Sequence, residues 1–214
     1  PRYPIVLCHG LYGFDKLGPD SLPFLQVHYW KGIKEALERL GAQVIITGVS
    51  RTGDIRNRAE AIHRQLELVA AGGSVNLVAH SMGGLDCRYL ITHLKPQKYK
   101  VKSLTTLCTP HRGSPFMDWC RDQFGVGFLL DEPAYANLTT DYCRKYFNPN
   151  TPDSPDVAYF SYGAQAKSIP WVSPLWFTRS VIMDQEGIND GLVSLGSARW
   201  GQYVETIDAN HWDL

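Results

Sequence analysis

The sequence predicts an α/β fold, with a mostly parallel central sheet of about six strands, helices on both faces and a short lid segment. Three observations predict it. Apolar, β-branched runs alternate along the chain with stretches of helical periodicity, the pattern of strands joined by crossover helices. Several of those runs end directly in glycine- or proline-containing loops, which gathers the loops at the carboxyl edge of the sheet, where open α/β sheets bind ligands. At 214 residues the chain suits one domain, residues 1–214, with a large buried core.

Residues 3–8 read as a buried strand that runs into His9-Gly10-Leu11-Tyr12-Gly13, where glycine after a core strand means a tight backbone turn. His9 reads there as a core histidine with its hydrogen bonds satisfied. Residues 30–41 carry Ile33, Leu37 and Leu40 at helical spacing and close on Gly41, a C-cap. Residues 43–48 form the next strand. A longer helix begins at Asp54: Ile55, Ala59, Ile62, Leu66 and Val69 recur at intervals of 4, 3, 4 and 3, and Gly72-Gly73 ends it. His63 lies beside that stripe without catalytic company and reads as structural or exposed. Residues 75–79 make a strand entering His80-Ser81-Met82-Gly83-Gly84, and a helical pattern with Leu85, Tyr89 and Leu90 leaves it. Residues 101–108 are the following strand, ending in Thr109-Pro110-His111-Arg112-Gly113-Ser114.

Beyond Ser114 the periodicity degrades. Phe116, Trp119, Phe124, Val126, Phe128, Leu129 and Leu130 cluster around Gly125 and Gly127, a composition suited to a movable cover, so residues 116–133 are the candidate lid; permanent packing on the core is the alternative. Residues 141–147 end a helix before a proline-rich turn, and 157–162 form a strand. Residues 169–177 set two Trp and a Phe between prolines, a rigid apolar rim able to touch lipid or substrate. Asn189-Asp190-Gly191 is a tight polar turn before Leu192 and Val193. Residues 203–207 are the last strand, followed by Asn210-His211-Trp212-Asp213.

Lys+Arg 21 against Asp+Glu 21 excludes a strong electrostatic grip on nucleic acid or anionic lipid. No apolar run approaches the roughly 18 residues of a membrane span. Aromatic residues are enriched, with six Trp, eleven Tyr and eight Phe, so that some are expected to face a ligand or lipid. The five cysteines have neither metal-ligand spacing nor an even disulfide count. Cys8, Cys87 and Cys108 read as buried thiols, whereas Cys120 and Cys143 flank the variable segment and are able to pair in an oxidising compartment. Asn137-Leu138-Thr139 is a glycosylation sequon, relevant only to a secreted protein. The chain opens one residue pair before a strand and stops three residues after His211, as expected of a segment of a longer protein cut at both ends.

The chemistry centres on Ser81. A serine between a strand and a helix projects its hydroxyl from the sheet edge, and the helix start aims free N–H groups at the same spot. A serine hydroxyl is a poor nucleophile until a base takes its proton and a third group orients that base. The order Ser81, Asp190, His211 supplies both. Asp184, Asp208 and Asp213 compete with Asp190, which alone has the glycine-backed turn. His111 is a rival base, but it leaves a core strand end directly and is expected to shape its loop. The N–H groups of Leu11 and Met82 are the expected oxyanion donors, one after each glycine-flanked turn. Tyr12, Phe116, Phe128, Leu129 and Leu192 are the candidate substrate-binding side chains.

The segments YPIVLCHGLYGFDKLG, DSLPFLQVHYWKGIKEALERLGAQV, VNLVAHSMGGLDCRYL, TPHRGS, NDGLVS and NHWDL together resemble the bacterial true-lipase family of Pseudomonas and Burkholderia and its fungal relatives. The resemblance implies an α/β-hydrolase that cleaves triacylglycerols or other carboxylic esters without a cofactor, with Ser81, Asp190 and His211 as its triad. It leaves open an esterase or acyltransferase on smaller or phospholipid substrates, and a non-catalytic lipid-binding module. Its implied partners are lipid esters and a transient membrane or lipid-droplet surface. Oligomeric state is unread. The chain departs from the bacterial members at Ala79, where they carry glycine, at Met82, and in a shorter lid. Those members hold a structural calcium, one of whose carboxylate ligands matches Asp213; the resemblance does not place the second, so Asp213 alone stands as a candidate calcium ligand. Fungal relatives include intracellular, mitochondrion-associated forms, which with the odd thiol count favours an intracellular location over secretion.

Overall fold

The computed structural model describes residues 1–13, 16–17, 27–125 and 133–214. In chain order its strands are β1 (Ile5–Cys8), β2 (Lys16–Leu17), β3 (Val27–His28), β4 (Val44–Thr47), β5 (Ser74–His80), β6 (Lys100–Leu107), β7 (Ala158–Gln165) and β8 (Gln202–Asp208). Six of them form one sheet in the order β4-β1-β5-β6-β7-β8, every neighbouring pair parallel, while β2 and β3 make a separate antiparallel pair. Each of the six sheet strands coincides with an apolar run in the sequence. The chain builds outward from β1 to β4, then crosses back over β1 to start β5. That reversal opens a crevice at the carboxyl ends of β1 and β5, where the His9–Gly13 turn and Ser81 emerge.

Helices cover both faces because strand side chains alternate. Val6 and Cys8 face a core shared with Ala59, Ile62 and Leu66 of α2 (Ile55–Val69) and with Cys87 of α3 (Gly83–Tyr89), which continues through Leu90–Leu94. Ile5 and Leu7 face the opposite core, with Trp30, Ala42 and, at its border, Ile33 and Leu37 of α1 (Ile33–Arg39). Asp54 caps α2, its carboxylate accepting the Asn57 N–H at 2.7 Å. Gly41 takes φ 81° after α1, and the N–H groups of Gly41 and Ala42 close on Glu38 and Leu37, so the expected C-cap is a Schellman turn. Two expected core positions fail: Leu40 is 79% and Val69 60% exposed, each at the C-terminal end of its helix.

After β6 come α4 (Pro115–Phe124), α5 (Pro133–Asn137), a π-helical stretch (Tyr142–Phe147) with a short helical turn (Asn148–Asn150), α6 (Pro174–Glu186) and α7 (Leu195–Ala198). The expected rim at 169–177 is therefore half helix. Ser173 caps α6 through its hydroxyl and Pro174 fills the first turn, a start signal present in the sequence. The glycosylation sequon is built into the fold: Asn137 Oδ1 accepts the Ile55 N–H at 2.9 Å, and Leu138 and Thr139 are buried. Cys120 and Cys143 are free and buried, as are Cys8, Cys87 and Cys108, so the pairing open to the first two is not made. Among the described residues no helix is long and apolar enough to cross a membrane.

Candidate active site

The turn at Ser81 is tight and strained. Ser81 has φ 54°, a left-handed conformation that costs a non-glycine residue about 1–3 kcal/mol. Neighbouring glycines admit it. A Cβ on Gly10 would lie 2.7 Å from Ser81 Cβ, and one on Gly83 would lie 2.7 Å from the Cys8 carbonyl oxygen. The serine is thus wedged against the end of β1. Ala79 faces the core without exposure, and the alanine in place of the usual glycine fits.

The hydroxyl has company. Ser81 Oγ lies 3.0 Å from His211 Nε2, and His211 Nδ1 lies 2.7 Å from Asp190 Oδ2. A second bond, from the His211 N–H to the Asp190 carbonyl at 2.9 Å, fixes the two loops together. The other Asp190 oxygen accepts the N–H groups of Leu192 and Val193 at 2.9 and 2.8 Å, the turn that its glycine-backed sequence predicts. Burial pushes the Asp190 carboxyl up, but His211 and the two N–H donors outweigh it and hold the group below its ordinary value. Asp190 is therefore ionised, His211 Nδ1 carries a proton, and Nε2 is left to accept from serine.

Of the rival residues, His111, Asp208 and Asp213 are occupied elsewhere. His111 is fully buried, with Nε2 3.0 Å from Thr106 Oγ1 and its ring stacked on Trp200; burial, then Arg88 and Arg112, hold its pKa far below the ordinary value. It shapes its loop, as expected. Asp208 pairs with Lys167 at 2.5 Å on the surface. Asp213 accepts the Asn210 backbone and side-chain N–H groups at 3.2 and 2.5 Å. Among the described residues no group of three His, Cys, Asp or Glu side chains gathers as a metal site. His63 meets Tyr99 Oη at 3.0 Å, a structural role.

A cavity of about 880 Å³ opens over Ser81 and His211. Leu11, Tyr12, Phe116 and Leu192 line it as expected; Phe128 and Leu129 lie outside the described residues. The far wall joins the two aromatic stretches that the sequence marked as lid and rim: Phe177 of α6 stands edge-on to Trp119 of α4 at 4.9 Å. Residues 116–124 of the candidate lid thus belong to α4, whose Met117 and Cys120 are buried. No Asp, Glu, Lys or Arg lines the cavity among the described residues. The N–H groups of Leu11 and Met82 make no hydrogen bond within the described protein.

His80 is a further residue the sequence passed over. Its ring packs 4.7 Å from that of His211 and Nδ1 meets Tyr29 Oη at 2.5 Å. Burial, then the charge of His211, lowers its pKa to about 3, so it stays neutral and sets no cation of its own beside His211. The unfolded chain protonates this histidine near pH 6.5 and the folded one near 3, so its burial costs stability progressively as pH falls between them. His80→Gln is expected to flatten the fall in urea midpoint between pH 7 and pH 4; a parallel fall in both proteins would remove His80 as a source.

The family model described as palmitoyl protein thioesterase matches residues 4–160. Triacylglycerol lipase 2 of Saccharomyces cerevisiae is 37% identical over an alignment covering 100% of this chain and 80% of that protein. The chain belongs to this family of lipase/esterase-like α/β-hydrolases. A triacylglycerol lipase of Vibrio cholerae is 38% identical across 99% of this chain and 79% of its own length. In fold, the mature Bacillus licheniformis lipase BlEst2 superposes with a TM-score of 0.80 at 24% identity, covering 98% of this chain and 85% of that one. The kinship is broader than the Pseudomonas and Burkholderia lineage that the motifs resemble. It supports a serine-hydrolase type of esterase or lipase activity.

Proposed function

We propose that this lipase/esterase relative is a triacylglycerol lipase of the EC 3.1.1 class, cleaving carboxylic esters through an acyl-enzyme on Ser81. The observation that carries the reading is Ser81 Oγ, 3.0 Å from His211 Nε2 at an apolar cavity of about 880 Å³ with no charged wall among the described residues. Such a cavity suits an acyl chain and a neutral alcohol better than an ionic headgroup. The yeast and Vibrio relatives, both named triacylglycerol lipases, support the same substrate.

In the proposed mechanism, Ser81 Oγ attacks the ester carbonyl carbon while His211 Nε2 takes its proton. The carbonyl oxygen becomes an oxyanion and is held by the N–H groups of Leu11 and Met82. Asp190 remains a carboxylate and steadies the imidazolium. Collapse breaks the bond to the alcohol oxygen, which leaves with the proton from His211. Water then attacks the acyl-enzyme, giving one proton to His211; that proton returns to Ser81 as the fatty acid departs. No step needs a cofactor, and calcium at Asp213 has no part in it. The exposed Trp171, Val172 and Trp176 at the start of α6 are proposed to meet the surface of a membrane or lipid droplet, and the five free thiols favour an intracellular setting.

A fluorophosphonate probe tests the nucleophile. Ser81 is expected to be labelled, and long-chain p-nitrophenyl esters and emulsified triacylglycerol to be turned over equally in calcium and in EDTA. Preference for soluble short esters would replace lipase by esterase, and no labelling would leave a lipid-binding module. A second reading comes from the family model: a thioester presents the same carbonyl with a better leaving group, so turnover confined to S-palmitoyl peptides would favour thioesterase activity.

A further inference from the structure

We propose that Thr109, with Arg58 and His9, positions the oxyanion hole from behind by gripping the carbonyl ends of its two peptides. The proposal rests on Leu11 and Met82 as the donors. In a trans peptide the C=O of one residue and the N–H of the next lie in one plane and point in opposite directions. Whatever holds the Ser81 carbonyl therefore aims the Met82 N–H, and whatever holds the Gly10 carbonyl aims the Leu11 N–H.

Both carbonyls are held. Ser81 O accepts the Thr109 hydroxyl at 2.7 Å, and the Gly84 N–H at 3.1 Å. Gly10 O accepts from His9 Nδ1 at 2.9 Å and from Arg58 Nη2 at 3.3 Å. The His9 tautomer is set by its other nitrogen, since Nε2 accepts the Val49 N–H at 3.3 Å and so the proton sits on Nδ1. Arg58 is fully buried, fixed by Asp86 Oδ2 at 2.8 Å, Ser50 O at 2.6 Å and His9 O at 2.8 Å. A buried cation and a hydroxyl on the carbonyl side polarise each peptide and leave its N–H less to reorganise as charge develops.

Two residues outside the triad gain a purpose from this arrangement. Thr109 is fully buried just after β6, where Cys108 turns with φ 49°. Its hydroxyl fits because residue 84 has no side chain: a Cβ on Gly84 would stand 2.2 Å from Thr109 Oγ1. The glycine at 84 thus serves Thr109, while the one at 83 serves the approach to β1.

Thr109→Val removes the hydroxyl and keeps the shape; Thr109→Ser keeps the hydroxyl. Thr109→Val is expected to lower kcat about tenfold with KM unchanged, less than the ~10²–10³ lost with a donor itself. It should weaken an alkyl boronic acid, whose serine adduct carries the oxyanion, by the same factor, while a non-covalent alkyl amide binds as before. Thr109→Ser should restore both, and Gly84→Ala should reproduce the Thr109→Val defect. A kcat loss that serine does not rescue, or boronate affinity equal to wild type, overturns the positioning role. Fluorophosphonate labelling of the wild type separates the two levels. An unlabelled Ser81 sinks the nucleophile assignment and this proposal with it, whereas a labelled wild type with a normal Thr109→Val overturns the positioning alone.

Discussion

Asp190→Asn is expected to lower kcat by about 10⁴ while leaving KM and the melting temperature nearly unchanged. An asparagine can still accept the Leu192 and Val193 N–H groups through its amide oxygen, so the turn survives. Facing His211, however, the amide nitrogen donates. That puts the imidazole proton on Nε2, 3.0 Å from Ser81 Oγ, and the base has no lone pair for the serine proton. The measurement is kcat on a p-nitrophenyl ester alongside a thermal melt. A variant within tenfold of wild type would dismiss Asp190 as the orienting acid.

The second large effect is at Gly10. An added methyl in Gly10→Ala would sit 2.7 Å from Ser81 Cβ and 3.3 Å from its Oγ, contacts that only backbone movement relieves. Either the loop after β1 or the serine turn must shift, and both carry the proposed oxyanion geometry. Activity is expected to fall ~10²–10³, as when a donor is lost, with about 1–3 kcal/mol of stability from the forced contact. Gly48→Ala is the control. Its Cβ would meet nothing within 4 Å, so turnover and melting should match wild type. Full activity in Gly10→Ala would mean that the loop carries no donor.

The two expectations differ in how far they could be read from the chain. Asp190 stands in an Asn-Asp-Gly turn whose Asx chemistry is local, and the bonds from Leu192 and Val193 span two and three residues. The reason for glycine at position 10 lies 71 positions away in Ser81, and no local pattern records that distance. Thr109 is a similar case. Its bond to the Ser81 carbonyl crosses from one strand end to the next and depends on β5 and β6 being neighbours. The α6 helix is different again: Ser173-Pro174 announces it, and the run of aromatics beside it reads as a rim only when that start signal is ignored.

Periodicity and backbone sterics act over a few residues, and they determined the six sheet strands, the α2 stripe up to Leu66, the turn at Ser81 and the chain order of serine, acid and histidine. The tertiary structure decided what is joined across distance. It placed β1 beside both β4 and β5, so that the loop after β1 meets Ser81, and it brought His211 to a serine 130 positions earlier while burying His111 under Trp200. It also left Leu40 and Val69 outside the core and kept Cys120 and Cys143 apart as free thiols. The physical reason is the same in each case. A side chain's own segment sets which way it points, but strand order and helix packing set what it points at.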